Sequence, residues 1–370
     1  MPRSRPSRHI APVIPKASRN LRVGVLGCGN VAQIAHLDAC RKAGNTELYA
    51  ICDAAEDLRV RMQAVHQPTV AYADYAAMLA DPRVEAVIVA VADQFHAPLC
   101  RQALEAGKHV LVEKPLSVTI EECQELCAVA ARTGLVLQVG TNRRFDPGVQ
   151  FAARFIQERI GRLMAVKAWY CDSTLRYTMT DNLQPIPVTS PAALKPAGDP
   201  KANRSRYFLL THGSHLVDLA RLLGGPITRV RARFLERFEA FCWFIDTEYA
   251  SGTLGHLDLT VPLRGDFEEG FRVYGEHGSV RGRLFLPWFH KAGEVECFSA
   301  EDGQYHRPLG EDAHTYRRQI EAFARHVLEG QPSGGSDVTD GLEAVRALVA
   351  IARSVETGEA VALSDATGGV

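Results

Sequence analysis

Val23-Gly24-Val25-Leu26-Gly27-Cys28-Gly29-Asn30-Val31-Ala32 is the stretch on which the reading of this chain turns. Its first four residues form an unbroken apolar run, as expected of a strand buried on both faces. Gly27 permits a tight turn out of that strand. Gly29 lets the backbone approach a phosphate closely, and Ala32 supplies the small residue where helix and strand pack. A pyrophosphate then meets a helix N-terminus, where amide donors and the helix dipole favour an anion. Gly27, Gly29, Asn30 and Val31 are therefore candidate cofactor contacts. A G-x-G-x-x-A spacing carries weight only in context. Here a second apolar run, Leu48-Tyr49-Ala50-Ile51-Cys52, ends at Asp53. A carboxylate at that place accepts both ribose hydroxyls and repels a 2′-phosphate, so NAD is expected in preference to NADP.

Working outward, apolar runs at Ala86–Val91, Val110–Val112 and Leu135–Val139 alternate with segments of helical spacing up to about residue 145. Thr119-Ile120-Glu121-Glu122 reads as a capping box. Cys123, Leu126, Cys127 and Ala130 follow as one helical stripe, and Gly134 stops the helix. The two cysteines on this stripe read as a core face rather than a metal site. The pattern predicts an α/β Rossmann domain, a doubly wound parallel sheet, over 22–145. Beyond it, 146–370 reads as a second α/β domain. Ala152–Glu158 is helical, and Leu163–Cys171 is a strand. Residues 172–205 form a proline-rich loop, which at that length reads as functional or mobile. A helix is expected at His215–Leu223. Strands at Thr228–Phe234, Ala240–Ile245, Thr253–Val261, Gly270–Tyr274 and Ser279–Phe285 make a mostly antiparallel open sheet. Helices at Tyr316–Leu328 and Gly341–Val355 close the chain.

Composition narrows the class. Hydrophobic residues make up 46% and charged residues 23%, ordinary for a globular protein, and the net charge is −1. No global field points to nucleic acid, and no apolar run reaches the length of a membrane span. Nine scattered cysteines without a Cys-x-x-Cys pair suit free thiols in a reducing, cytoplasmic setting. Residues 1–21 are basic, free of acids, and lack an apolar signal core, so they read as a flexible tail.

Three further segments carry chemistry. Ala92-Asp93-Gln94-Phe95-His96 ends a strand on the cofactor side, where Ala92 meets ribose or nicotinamide. His96 either contacts the cofactor or caps the next helix. In Val112-Glu113-Lys114-Pro115, Lys114 lies at the carboxyl end of a central strand, where open α/β sheets bind ligands. Glu113 is placed to hold the ammonium. A lysine there orients a substrate hydroxyl and shares its proton during hydride transfer. Thr211-His212-Gly213-Ser214-His215 opens a helix, with Asp218 one turn on. A neutral imidazole such as His215 suits a base near neutral pH. A metal site at His212, His215 and Asp218 does not have the spacing of a standard helical ligand pair, and no metal is expected.

Together these segments resemble the glucose–fructose oxidoreductase/inositol dehydrogenase/MocA-like family. The resemblance extends through Gly140-Thr141-Asn142-Arg143-Arg144-Phe145-Asp146-Pro147, Gly213–Gly224, Tyr316 to Phe323 and Asp340 to Ser354, covering about 22–365. It implies an NAD-binding Rossmann domain and a second domain whose open sheet mediates a homodimer or homotetramer. It implies oxidation of a hydroxyl on a sugar, polyol or glycoside, or the reverse. By the same resemblance Lys114 matches the catalytic lysine, His215 the motif histidine, and Arg144 lies in a segment that approaches substrate. The family often has Asp where this chain has Thr211, so a second acid/base group is missing there and His212 is the candidate to compensate. The common Thr-Pro-Asn stands here as Ala92-Asp93-Gln94. Thr211, His212, and Arg176 and Tyr177 of the 172–205 loop complete the expected substrate contacts, with that loop acting as a lid. Two other readings remain open. One is transient oxidation in a lyase, hydrolase or epimerase; the other is a non-catalytic nucleotide sensor.

Overall fold

The computed structural model describes residues 19–173, 187–197 and 202–370. In the first domain, β1 (Leu21–Leu26), β2 (Thr46–Cys52), β3 (Val70–Tyr72), β4 (Ala86–Val89), β5 (His109–Glu113) and β6 (Leu137–Gly140) form a parallel sheet in the order β6-β5-β4-β1-β2-β3. The helices between them are α1 (Leu37–Lys42), α2 (Glu56–His66), α3 (Tyr75–Ala80), α4 (His96–Glu105) and α5 (Ile120–Thr133). A π-helical turn, Ala32–His36, leads into α1. Gly27 has φ +93°, and a Cβ there would lie 2.5 Å from the Ala90 carbonyl oxygen. Both sterics and backbone therefore demand glycine at that turn. Only half of the expected capping box forms. Thr119 Oγ1 accepts from the Glu122 N–H, but the Glu122 carboxylate takes a short hydrogen bond from Ser117 Oγ instead. Gly134 caps the helix in the left-handed region at φ +65°. Cys123 packs in the core, and all nine cysteines are free thiols.

After α6 (Pro147–Arg159) the second domain begins. β7 (Leu163–Ser173), α7 (Arg204–Thr211) and α8 (Gly213–Gly224) precede β8 (Ile227–Arg237), β9 (Ala240–Tyr249), β10 (Leu254–Leu263), β11 (Glu268–Gly275), β12 (Gly278–Leu284), β13 (Glu294–Ser299) and β14 (Gln304–His306). Their sheet is antiparallel except where β10 runs parallel to β7. β9 alternates buried and open residues along Phe241–Tyr249, the signature of a sheet with one uncovered face. β13 escaped the sequence reading, although Glu-Val-Glu-Cys-Phe-Ser carries the alternation of a half-buried strand.

The chain then returns to the first domain. α9 (Thr315–Glu329) sets Tyr316, Ile320, Phe323 and Ala324 into the core formed by β1, β2 and the first helices. β15 (Ser336–Asp337) adds an antiparallel edge to β6. α10 (Val338–Thr357) crosses back, contributing Val345, Leu348 and Ile351 to the larger core. β16 (Val361–Ala362) ends the second sheet beside β8.

Two adjacent arginines on the 3₁₀ turn Asn142–Phe145 tie the domains together. Arg143 donates from Nε to Glu269 on β11 at 3.0 Å and from Nη1 to the Phe285 carbonyl at 2.7 Å. Arg144 points the other way. It donates to Asp218 on α8 at 2.7 Å and to Asp340 on α10 at 2.8 Å. This corrects the expectation that Arg144 meets substrate. Successive residues of a 3₁₀ turn diverge by about a third of a turn, so neighbouring side chains cannot share a target. Arg144→Ala leaves the buried Asp218 without its counter-charge and should lower the unfolding free energy by about 3–5 kcal/mol. Denaturant unfolding reads this directly, and a loss within about 0.5 kcal/mol, the ordinary scatter of surface changes, contradicts it.

Candidate active site

The carboxyl ends of β1, β2 and β4 open onto a cavity of about 570 Å³ lined by Gly27, Gly29, Asn30, Val31, Asp53, Tyr75 and Phe95, among others. A Cβ on Gly29 would meet no protein atom within 4 Å, so a phosphate can come close to the backbone there. Asp53 is held at the loop: Oδ2 accepts from the Cys28 N–H at 2.7 Å and Oδ1 from the Ala55 N–H at 2.8 Å. Burial pushes the Cys28 thiol up to about 12, so no thiolate competes beside the anion site. Glycine loop, fixed carboxylate and apolar walls together fit a dinucleotide.

A second cleft, of about 480 Å³, continues from this cavity, with Asn30, Val31, Val91 and Ala92 common to both. Here the two domains meet. Lys114, just past β5, donates from Nζ to the Thr211 carbonyl oxygen at 2.8 Å. Burial lowers the basicity of this amine, while the charges of Glu113 and Asp93 pull it back up. The Lys114–Pro115 peptide is cis. Glu113 does not hold the ammonium as expected. Successive residues along a strand face opposite sides. Its Oε1 meets His36 Nε2 at 2.8 Å, and its Oε2 accepts from the Lys114 backbone N–H at 3.2 Å. Burial pushes this carboxyl up, but the His36 hydrogen bond and nearby positive charge outweigh it and hold Glu113 low. His36, buried on the π-helical turn, was invisible in the sequence because its partner lies at the end of β5, 77 positions along the chain.

His96 lines the same cleft, and its ring joins two turns, with Nδ1 2.7 Å from the Pro115 carbonyl and Nε2 3.2 Å from that of Val91. It does not cap the following helix, whose start carries no side-chain cap; the ring bridges two loop carbonyls instead, a structural role other than the one expected.

α7 and α8 meet at Gly213, where a Cβ would lie 2.9 Å from Leu348. This tight junction delivers Thr211, His212 and His215 to the cleft. Thr211 Oγ1 donates to the Tyr207 carbonyl at 2.7 Å and lies 2.8 Å from His212 Nδ1. His212 Nε2 lies 2.8 Å from Asp172 Oδ2. Asp172, buried near the end of β7, is a functional candidate that the sequence reading missed. The His215 ring stacks on Tyr170, with centroids 5.8 Å apart and planes 6° from parallel. Asp218, one turn along, faces Arg144 instead. Among the described residues, no group of three or more His, Cys, Asp and Glu side chains is arranged to hold a metal ion.

Arg143, not Arg144, borders the cleft. Burial pushes its partner Glu269 up to about 7 against the pull of the guanidinium. Arg176 and Tyr177, expected as substrate contacts, lie outside the described residues. A larger cavity of about 950 Å³ on the second sheet, lined by Arg272, Arg281 and Arg307 among others, contains none of the expected site residues. No helix among the described residues is long and apolar enough to cross a membrane.

The family described as "Oxidoreductase family, NAD-binding Rossmann fold" matches residues 21–141, and its "C-terminal alpha/beta domain" matches 201–363. Among similar proteins, D-xylose 1-dehydrogenase (NADP(+)) 2 of Haloferax volcanii is 28% identical over 92% of this chain and 99% of its own length. Myo-inositol 2-dehydrogenase of Thermotoga maritima is 25% identical over 94% of this chain and all of the relative. D-glucoside 3-dehydrogenase of Escherichia coli is 26% identical over 94% and 98%. In fold, the chain resembles levoglucosan dehydrogenase solved with NADH, with a TM-score of 0.76 at 21% identity over 93% of this chain and 99% of that one. With both domain matches in order and the glycine loop, Lys114 and His215 gathered along one interdomain cleft, the chain belongs to the Gfo/Idh/MocA family of NAD(P)-dependent oxidoreductases.

Proposed function

We propose that this protein is an NAD-dependent dehydrogenase that reversibly oxidises a ring hydroxyl of a sugar, an inositol-like polyol or a glycoside to the ketone. One observation carries the reading. The Lys114 ammonium and the imidazoles of His212 and His215 line a single cleft that continues into the dinucleotide cavity. The relatives named for xylose, inositol and glucoside oxidation support the substrate class. Asp53 supports NAD over NADP.

When bound, the nicotinamide supplies a hydride acceptor. The protein does the rest. The Lys114 ammonium orients the substrate oxygen and stabilises negative charge as it develops there. His215 takes the hydroxyl proton. Tyr170 sets the plane of that ring by stacking on it. Where the family often has a carboxylate, Thr211 has a hydroxyl, and the nearest compensation is the Asp172–His212 pair behind it. Asp172 fixes His212 through one ring nitrogen and leaves the other at the Thr211 hydroxyl. Arg143, held by Glu269, forms the wall from which substrate hydroxyls are met. The uncovered face of the second sheet presents Leu235, Phe244 and Leu254, which supports assembly as a homodimer or homotetramer.

The Asp172–His212 pair also favours a second reading, in which transient oxidation serves a lyase, hydrolase or epimerase. A second base is what such chemistry needs to remove the proton beside a new ketone. Absorbance at 340 nm, with NAD and a panel of inositols, free sugars and glycosides, separates the two. The dehydrogenase accumulates NADH over many turnovers; the alternative changes its substrate without doing so.

Lys114→Ala should lower kcat by about 10²–10⁴-fold while NADH still binds. Wild-type turnover in this variant removes Lys114 from the mechanism. The wild-type kcat should also fall on the alkaline side at a pH below the range of an exposed lysine. Burial shifts the amine downward, and the orienting charge disappears as pH rises through its pKa. Asp172→Asn should lower kcat by about tenfold or more, with NADH affinity unchanged, because the imidazole loses the group that orients it. Steady-state kinetics beside a direct NADH titration separates that loss from a change in cofactor binding.

A further inference from the structure

Gln33 lies on the π-helical turn immediately after the glycine loop. Its side-chain amide is used at both ends. Nε2 donates to the Cys28 carbonyl at 2.8 Å and to the Val188 carbonyl at 2.9 Å, while Oε1 accepts from the Val188 N–H at 2.8 Å. A primary amide that takes both the N–H and the C=O of one distant residue imitates a rung of a β-ladder. It ties the segment 187–197, which follows β7 in the chain, to the first domain. A second tie lies two residues on. Ser190 Oγ donates to Asp57 Oδ1 on α2 at 2.7 Å and accepts from the Ala192 N–H at 3.0 Å, which bends the strap. Beyond that bend, Ala193 and Leu194 line the dinucleotide cavity opposite Asp53, Leu58, Tyr75 and Phe95. Leu194 is 77% exposed. A lone exposed leucine says nothing in itself. This one stands at the mouth of an apolar cavity, over the half of the site that Asp53 marks for the adenosine ribose.

We propose that residues 187–194 form the outer wall of the adenosine half of the dinucleotide site, held there by Gln33 and Ser190, and that this strap slows release of the cofactor. Adenosine seated against Tyr75 and Phe95 buries Leu194 and Ala193 from the other side. Release then requires the Gln33 and Ser190 ties to open. The strap belongs to the second domain's stretch of chain, so the cofactor is gripped by both halves of the protein. This extends the proposed reading at its cofactor end only. It is tested with the dinucleotide itself and stands or falls independently of which hydroxyl compound is oxidised.

The test uses the full chain and follows release of bound NADH by stopped-flow fluorescence during a chase with excess NAD. Gln33→Ala should speed release by about tenfold, as expected for losing the two hydrogen bonds to Val188, and Ser190→Ala by about threefold for the one to Asp57. Ser190 touches no part of the glycine loop, so its variant separates the strap from damage to the loop. Affinity for ADP-ribose should weaken by the same factors, while affinity for nicotinamide mononucleotide stays at the wild-type value. Wild-type release from Ser190→Ala overturns the proposal, as does an equal weakening of nicotinamide mononucleotide in either variant. Failure of every sugar and polyol to reduce NAD counts against the dehydrogenase reading and leaves these release rates to be read as before.

Discussion

The interdomain cleft depends on two buried arginines that cannot be satisfied within their own domain. A guanidinium out of water must find carboxylates or carbonyls, or the fold does not tolerate it. Arg143 finds Glu269 and the Phe285 carbonyl; Arg144 finds Asp218 and Asp340. Both leave one short turn and diverge, so the first domain is pinned at once to the second sheet and to two of the helices packed against it. Asp218 shares α8 with His215, which ties the position of the imidazole to that of Arg144. The geometry of the cleft is thereby coupled to domain docking, although Arg144 is not among the residues lining it.

Within that frame the site follows a consistent electrostatic logic. Lys114 is buried, and the Thr211 carbonyl accepts its hydrogen bond. The same carbonyl also accepts from Ser214 Oγ at 3.1 Å, which holds it in place at the junction of α7 and α8. The hydrogen-bond acceptor of the ammonium is thus a neutral carbonyl, and the charges of Glu113 and Asp93 support the ammonium from nearby. Glu113, the nearest acid in sequence, hydrogen-bonds with His36 and not with the ammonium. Asp172, the His212 imidazole and the Thr211 hydroxyl stand in line within hydrogen-bond reach, with the hydroxyl hydrogen given to the Tyr207 carbonyl.

Much of this was legible without coordinates, and the misses share a cause. Continuous apolar runs separated by helical spacing place the parallel strands, because burial on both faces leaves no alternation to misread. The glycine loop was legible because Gly27 occupies a backbone region that other residues avoid. The position of Lys114 beside the cleft was legible because it follows a central strand directly. Arg143 and Arg144 are indistinguishable in a string of letters, and the choice between them rests on divergence along a 3₁₀ turn. Asp172 sits inside an expected strand beside a proline-rich loop, with nothing nearby to pair it to His212. Gln33 lies in the very motif that was read first, yet its partner Val188 is 155 positions away.

The sequence by itself determined the sheet type, the glycine turn after the first strand, the lysine at the strand end, the histidine at the helix start and the family. These follow from local periodicity and from residue types with a restricted backbone or a restricted chemistry. Only the tertiary structure decided that Arg143 rather than Arg144 borders the cleft. It alone revealed Asp172 beside His212, turned Glu113 toward His36, returned α9 and β15 to the first domain, and tied Val188 to Gln33 and Ser190 to Asp57. Each of these is a pairing between residues far apart in the chain. The free energy that selects such pairs comes from satisfying buried charge and hydrogen bonds across the whole fold, which no local spacing encodes.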